Sequence, residues 1–451
     1  MMQRLDSFLQ TAVDLAWGLP LVVLLIGGGI LLSIVSRLRP LMAWRHAIDI
    51  LRGKYDNPDD PGDISHFEAL STALAATIGV GNIGGVAIAI TQGGAGAVFW
   101  MWVAASVGMT TKFFSCTLAQ LYRGKDSAGE LQGGPMYAIR EGLGPRWNFL
   151  AIIFCSFGII GCLPMFQTNQ LSEILTTAYG VKPLYTGLAA TTLVAIVAFG
   201  GVTRIGTVTA KLVPAMCLLY LGMAIVIVVM RFEAVPEVFA RILSEAFTGS
   251  AVAGGAAGEG FRQVLLIGVK RAAFSNEAGI GTAPLAHGAA KTSEPVREGL
   301  VAMIGPFIDT ILVCTLTALV ILTSGVSFGD QVQGVSLTTA AVESVLGPVG
   351  KALLVLIVTL FALSTMISYS YYGKKCFSYL FGAQRQDWYT YIYLGGLFLG
   401  SLWSAAMAIN LIDTTFALMA VPNMIVTIVL APKVVEATKD YFQRLKAGET
   451  R

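Results

Sequence analysis

The sequence predicts an all-α polytopic membrane protein, built as an inverted repeat of five plus five helices with one extra helix at the N-terminus, eleven spans in total. Three observations predict it. The 451 residues are 55% hydrophobic and only 13% charged, with a mean hydropathy of +0.71, whereas a water-soluble domain is about a quarter charged. Apolar runs of roughly 20 residues, the length that crosses a hydrocarbon core, recur along the chain. Two of these runs are broken by glycine at matching places. The 50 glycines favour helices that pack backbone to backbone. A net charge of +3 gives no footing for a nucleic-acid partner. The six cysteines (116, 155, 162, 217, 314 and 376) show neither metal-ligand spacing nor a disulfide framework, and read as small core residues.

In chain order, the first span is 15–36. It lacks a small-residue cleavage site and is followed by Arg37, Arg39 and Arg45, so it reads as a retained helix and not a signal peptide. Segment 40–66, with Pro40, Pro58 and Pro61, reads as a short amphipathic element on the cytoplasmic side. The run 69–111 holds two spans with TQGGAG (91–96) as their turn. Spans follow at 147–172, 183–203, 212–230, 352–373, 388–412 and 414–432. Two less clean ones are 258–283, which contains Glu259, Arg262, Lys270, Arg271 and Glu277, and 299–323, which contains Asp309. Residues 233–248 read as an outer surface helix, and 325–346 as an outer loop able to act as a lid.

Basic residues in the short loops set the orientation. With the N-terminus outside, the inward segments carry 21 Lys plus Arg and the outward segments five. The C-terminus is then cytoplasmic, and the expected location is a cell membrane of the bacterial inner-membrane type.

With 1–65 set aside as the extra helix and its linker, one repeat covers 66–231 and the other 258–431. Residues 232–257 connect them, and 432–451 form a cytoplasmic tail. Five spans is an odd number, so the second half enters the membrane from the opposite side. Each half opens with an interrupted helix: ATIGVGNIGG (76–85) in the first, SNEAGIGTAP (275–284) in the second. Gly costs about 1 kcal/mol in a helix interior and Pro about 3, so both clusters favour unwinding at mid-depth. Unwound backbone is tolerated there only when it is buried in protein or lines a polar cavity. Its free N–H groups attract a carboxylate, and its carbonyls suit an ammonium group or Na+. Such a pair of breaks points to the binding site of a secondary transporter. Small-residue packing is the alternative for either cluster alone.

Other classes fare worse. The chain has no HExxH, no pair of histidines at i and i+4, and no phosphate-binding loop, and its one GxSxG (GVSFG, 325–329) falls in the expected outer loop, which argues against an intramembrane enzyme or an ATP-driven pump. A small-solute channel is the rival, since glycine-broken helices also build pores. Saturation and countertransport separate a carrier from a channel.

The stretches STALAATIGVGNIGGVAIAI (71–90), GGAGAVFWMW (93–102), GMTTKF (108–113), GGPMYAI (133–139), FSNEAGIGTAPLAHGAA (274–290), STMISYSYYG (364–373) and ALMAVPN (417–423) resemble the alanine or glycine:cation symporter family, the sodium:alanine symporter type. Ala95, Ser106 and Thr110 depart from its usual residues, all outside the breaks. The resemblance implies a leucine-transporter-type fold and a carrier of small neutral amino acids, chiefly alanine or glycine, driven by Na+ and in some members by H+. Na+ is then the coupling ion, with no cofactor. The amino acid, Na+ and the lipid bilayer are the partners, and a monomer suffices.

For the substrate, the first break is expected to offer Gly79, Val80 and Gly81 with Thr77, and the second Phe274, Ser275 and Asn276. In FQTNQ (166–170), Gln167, Asn169 and Gln170 place amides in an apolar helix, where they either meet substrate or bond to neighbouring helices. For Na+, the fold resemblance implies the carbonyls of Ala75, Ile78 and Phe361 and the hydroxyls of Ser364 and Thr365. A weaker second cation position falls near Asn82 and Asn276. Lys270 and Arg271 are expected to pair with Glu277 across the unwound turn, with Asp309 and Asp413 as further partners. Lys112 is expected to snorkel to the interface. Glu173 reads as a gate or a solvated residue. His46, His66 and His287 carry no assigned chemistry, and Trp100, Trp102 and Trp403 read as packing or interface aromatics.

Overall fold

The computed structural model describes residues 10–248, 257–326 and 334–449. The first helix is bent by 48° between α1 (Gln10–Ala16) and α2 (Leu19–Val35). A short α3 (Trp44–Leu51) follows. Next comes a pair bent by 50°, α4 (His66–Thr77) and α5 (Gly81–Gly93). Then come α6 (Gly96–Leu121), α7 (Pro145–Tyr179), α8 (Pro183–Ala198) and α9 (Gly201–Met230). The second half holds α10 (Val235–Thr248), α11 (Ala257–Asn276), the single turn α12 (Ala283–His287), α13 (Pro295–Thr323) and α14 (Val335–Phe381). It closes with α15 (Gln386–Gly400), α16 (Ala405–Val429) and α17 (Ala431–Ala447).

Among the described residues, six helices are individually long and apolar enough to cross a membrane, and the two bent pairs bring this to eight. The remaining three expected spans fall below that standard for visible reasons. Helix α8 has 16 residues and α15 has 15, while α11 carries Arg262, Lys270 and Arg271. The expected outer helix at 233–248 is present as α10. The expected lid at 325–346 is partly helix: α14 starts at Val335 and kinks at Gly347 (φ 64°), ahead of Pro348. The rest of that lid (327–333) and part of the connection 232–257 (249–256) lie outside the described residues.

Both breaks follow from local chemistry. Ser65 caps α4 in a reciprocal box with Glu68, and the helix then stops at Thr77, where Ile78 is extended (φ −73°, ψ 92°). In the second break Glu277, Gly279 and Gly281 all take positive φ (55°, 88° and 101°), and Pro284 opens the next turn. A Cβ at Gly279 would stand 2.5 Å from Leu25, and one at Gly281 2.7 Å from Phe154, so glycine is required there by both backbone and space.

Helix α6 packs against α11 and α13, α9 against α4 and α14, and α7 against α14 and α16. The outward faces are apolar, with Leu188, Leu218 and Val229 among the exposed side chains. At the His66 end of the bundle, segment 63–64 pairs with 289–291: Asp63 N–H donates to Ala289 at 2.8 Å and Lys291 N–H to Ile64 at 2.7 Å. That end is tied shut. At the opposite end, beside Gln10, a cavity opens into the bundle.

Candidate substrate and cation site

The two breaks meet in the interior. A Cβ on Gly81 would lie 3.0 Å from the Phe274 ring and 3.9 Å from the Cα of Ser275, so the first break abuts the second without a side chain between them. A Cβ on Gly79 would come within 2.4 Å of Thr365 Oγ1, which brings α14 to the same point.

Four of the five expected Na+ ligands converge. Thr365 Oγ1 donates to the Ala75 carbonyl at 3.0 Å and to Phe361 at 3.1 Å, and Ser364 Oγ donates to the same two carbonyls at 3.2 and 2.8 Å. The backbone shape explains this. Where α4 ends, the carbonyls of its last turn lose their helical donors, and hydroxyls from α14 fill the gap. Both hydroxyls leave the Ile78 carbonyl alone.

A second cluster surrounds Asp309, which is 0% exposed. Its Oδ2 accepts from Asn82 Nδ2 at 2.8 Å, and its Oδ1 from Ser275 Oγ at 2.8 Å and Thr310 Oγ1 at 2.7 Å. Asn276 Nδ2 donates to Thr310 Oγ1 at 3.0 Å. Asn82 and Asn276, expected to share a cation position, are thus joined through Asp309 and Thr310. In the sequence Asp309 reads as an ion-pair partner, and the structure gives it a cluster of neutral donors instead. The available signal was a carboxylate inside an apolar span, a functional pointer by default.

The remaining substrate-site expectations divide. Gly79 N–H is taken by Asn82 Oδ1 at 2.9 Å, so within the break it is not free for a carboxylate. Val80 lies buried at the start of α5. Thr77 Oγ1 turns back to Ala73 at 3.1 Å, the habit of hydroxyls inside helices. Asn169 Nδ2 donates to Trp403 at 2.6 Å and Gln170 to Glu173 at 2.8 Å, so both serve helix contacts. Glu173 also accepts from Ser336 Oγ on α14 at 2.9 Å, tying two helices near the open end. Gln167 differs: it is buried, and its Oε1 has no partner among the described residues. The neighbouring Phe166 ring stands edge-on to Phe274, centroids 5.2 Å apart.

Several charges sit elsewhere than expected. Arg271 and Lys270 pair with Asp413, not with Glu277, which instead accepts from Thr282 and Tyr369. The positive φ of Glu277 sends its side chain toward α14 and away from α11. Lys112 does not snorkel; it is 2% exposed, with its Nζ 3.4 Å from the position a Gly305 Cβ would take. His66 and His287 do not stand idle, since both present Nδ1 to the buried Glu298 carboxylate. Trp100 and Trp102 make specific bonds, to the Ala246 carbonyl at 3.0 Å and Thr315 Oγ1 at 2.7 Å.

The profile of the sodium:alanine symporter family matches residues 2–451. The chain belongs to that family. A sodium/alanine symporter, AgcS, from Methanococcus maripaludis is 39% identical over 453 residues, covering 99% of each chain. A probable sodium/glutamine symporter, GlnT, from Bacillus subtilis is 34% identical, over 100% of this chain and 93% of that one. Among solved structures, MhsT in complex with L-phenylalanine superposes with a TM-score of 0.57 at 14% identity, covering 84% of this chain and 99% of that one. A mutant of the Eremococcus coleocola manganese transporter gives 0.55 at 12% identity, covering 82% of each. These likenesses establish the leucine-transporter-type fold. A member of this family with several membrane-crossing apolar helices is a multi-pass membrane transporter.

Proposed function

We propose that the protein is a symporter that carries a small neutral amino acid, alanine or glycine, into the cell with Na+ by alternating access. The observation that carries this is the meeting of two unwound segments from opposite halves, one against Thr365 and the other against Asp309. A carrier needs its cation and substrate ligands on elements that move relative to one another, and the Thr365 cluster joins the first break to α14, while the Asp309 cluster ties both breaks to α13.

In this reading the chain forms eleven spans: α1–α2 as the extra helix, five from α4 to α9 and five from α11 to α16, within the boundaries 66–231 and 258–431. The Gln10 end is outside and α17 is cytoplasmic. One Na+ lies among the Ala75 and Phe361 carbonyls and the Ser364 and Thr365 hydroxyls, with Ile78 completing the shell. Hard oxygen donors suit an alkali ion. A second cation position lies at Asp309 with Asn82, Ser275 and Thr310. The substrate sits against Gly81, Phe274 and Ser275, and the unpartnered Oε1 of Gln167 accepts from its ammonium group. The family match and the sodium/alanine symporter relative support alanine as the substrate.

The carboxylate of Asp309 supports a second reading, in which a proton replaces Na+ at that position. Uptake of labelled alanine and glycine into proteoliposomes separates the cases. Accumulation above equilibrium with an inward Na+ gradient, and none with a proton gradient alone, is the expected result. Accumulation driven by protons alone, and abolished by Asp309→Asn, would establish the second reading. Unsaturable downhill flux indifferent to both gradients would overturn symport in favour of a channel.

A further inference from the structure

At the His66 end, a groove of about 920 Å³ lies between α17 and the segment that follows α2 and leads into α3. Four cations line it, Arg39 and Arg45 on one wall and Lys439 and Lys446 on the other. All four are exposed, and none has an ion-pair or hydrogen-bond partner among the described residues. No carboxylate among the described residues lines the groove. On α17 the carboxylates of Glu436 and Asp440 are engaged by Lys433 at 3.3 Å and by Arg444 at 2.8 Å. Apolar side chains share the lining: Met42, which is 77% exposed, with Trp44 and Phe442.

Both walls are fixed in place. His46 Nε2 lies 2.6 Å from the Tyr441 hydroxyl, which joins α3 to α17, and Arg297 Nε donates to the same hydroxyl at 3.3 Å. Arg444 Nη2 donates to Glu294 at 3.0 Å, just ahead of α13. Arg37 and Leu38 both take positive φ (53° and 55°), a conformation that side chains rarely adopt. This turn carries Arg39 from α2 to the flank of α17, where Arg37, Arg39 and Lys439 line an adjoining recess of about 180 Å³.

Four like charges held around one groove repel one another, and an anion placed among them relieves the repulsion. A small soluble anion answers the charges but leaves the apolar lining in water. A phospholipid answers both. Its phosphate meets the guanidinium and ammonium groups, and its acyl chains run along Met42 and the exposed Ile34, Val35 and Leu38 at the end of α2. A choline headgroup would bring its own cation into the cluster, so a headgroup of net negative charge is favoured. The basic bias of the loops assigns this end to the cytoplasm, and the anionic lipids of that leaflet attract basic residues beside the membrane.

We propose that this groove binds an anionic phospholipid, whose phosphate is held by Arg39, Arg45, Lys439 and Lys446. The inference goes beyond the symporter reading and stands whether or not alanine is the cargo.

Native mass spectrometry of the delipidated full-length protein, titrated with phosphatidylglycerol or phosphatidylcholine, tests it. The wild type should retain phosphatidylglycerol in preference to phosphatidylcholine. Each Lys or Arg beside an anionic headgroup contributes roughly fivefold. The triple variant Arg39→Gln, Arg45→Gln, Lys439→Gln should therefore bind about a hundredfold more weakly. Gln443→Glu is isosteric, places a carboxylate in the groove lining, and should also weaken binding. A control triple variant, Lys125→Gln, Arg146→Gln, Arg385→Gln, removes exposed cations away from the groove and should bind as the wild type does. Equal retention of the two lipids by the wild type would overturn the proposal, and so would equal losses in both triple variants. Wild-type retention in either groove variant would overturn it too. Displacement of phosphatidylglycerol by an equal concentration of soluble glycerol phosphate would assign the groove to a free phosphate ester and overturn the lipid site.

Discussion

Gly79 and Thr365 show how closely single residues are fitted at the first break. A Cβ at position 79 would lie 2.4 Å from Thr365 Oγ1, well inside contact distance, so Gly79→Val must drive that hydroxyl off the Ala75 and Phe361 carbonyls. We expect that variant to reach the membrane and lose uptake, measured in proteoliposomes; normal uptake would place the cation site elsewhere. Thr365→Val is isosteric and removes one hydroxyl oxygen. Losing one ligand of order 1.4 kcal/mol corresponds to a tenfold change, so the Na+ concentration for half-maximal uptake should rise by roughly that factor with little change in protein stability. Gly81 is constrained in the same way by Phe274 and Ser275. These demands could be anticipated from glycine clustering, but the identity of each opposing atom could not.

Between elements, a buried polar junction closes the His66 end. Glu298 on α13 receives Nδ1 of His66 from the start of α4 and Nδ1 of His287 from the end of α12. Both unwound helices are therefore anchored, beyond their breaks, to one carboxylate. Gln120 on α6 adds a bond to the His287 carbonyl, and Arg123 bonds to Pro61 at 2.8 Å. Removing one partner from a buried charged cluster costs about 3–5 kcal/mol. Glu298→Ala should accordingly lower the unfolding temperature in detergent. It should also raise labelling of cysteines introduced near residue 64, because the closed end loosens. Unchanged labelling would mean that the pairing of 63–64 with 289–291 holds this end by itself.

For the whole molecule, the alternating-access mechanism proposed above has the helices that carry the breaks, together with α6 and α13, rock as a bundle against the remaining spans. In that proposal the cavity at the Gln10 end and the tied His66 end are what one extreme of the cycle would show. The basic bias of 21 against five in the loops predicts which end faces the cytoplasm. A reporter fused after residue 451 that fluoresces only in the cytoplasm should light up, and one that works only outside the membrane should stay silent. The reverse result would invert the direction of transport assigned to the cavity.

The sequence by itself determined what depends on local chemistry. Composition and apolar run length required a helical membrane protein, since helices and closed barrels satisfy the backbone in lipid and continuous apolar runs of roughly 20 residues fit the helix. Glycine and proline placed the two interruptions at 76–85 and 275–284, where the structure has them, because positive φ and helix breaking are written in residue type. Partner choice was decided by tertiary structure. Arg271 reaches Asp413, 142 positions away, and not Glu277, six positions along. His66 and His287, unremarkable in the sequence, close on Glu298, in one case across 232 positions. The broken turn gives the reason: a positive φ at Glu277 swings its carboxylate toward Tyr369 and frees Arg271 for α16. A pattern along the chain records where the backbone bends, whereas the side chains that meet depend on which faces the bend brings together.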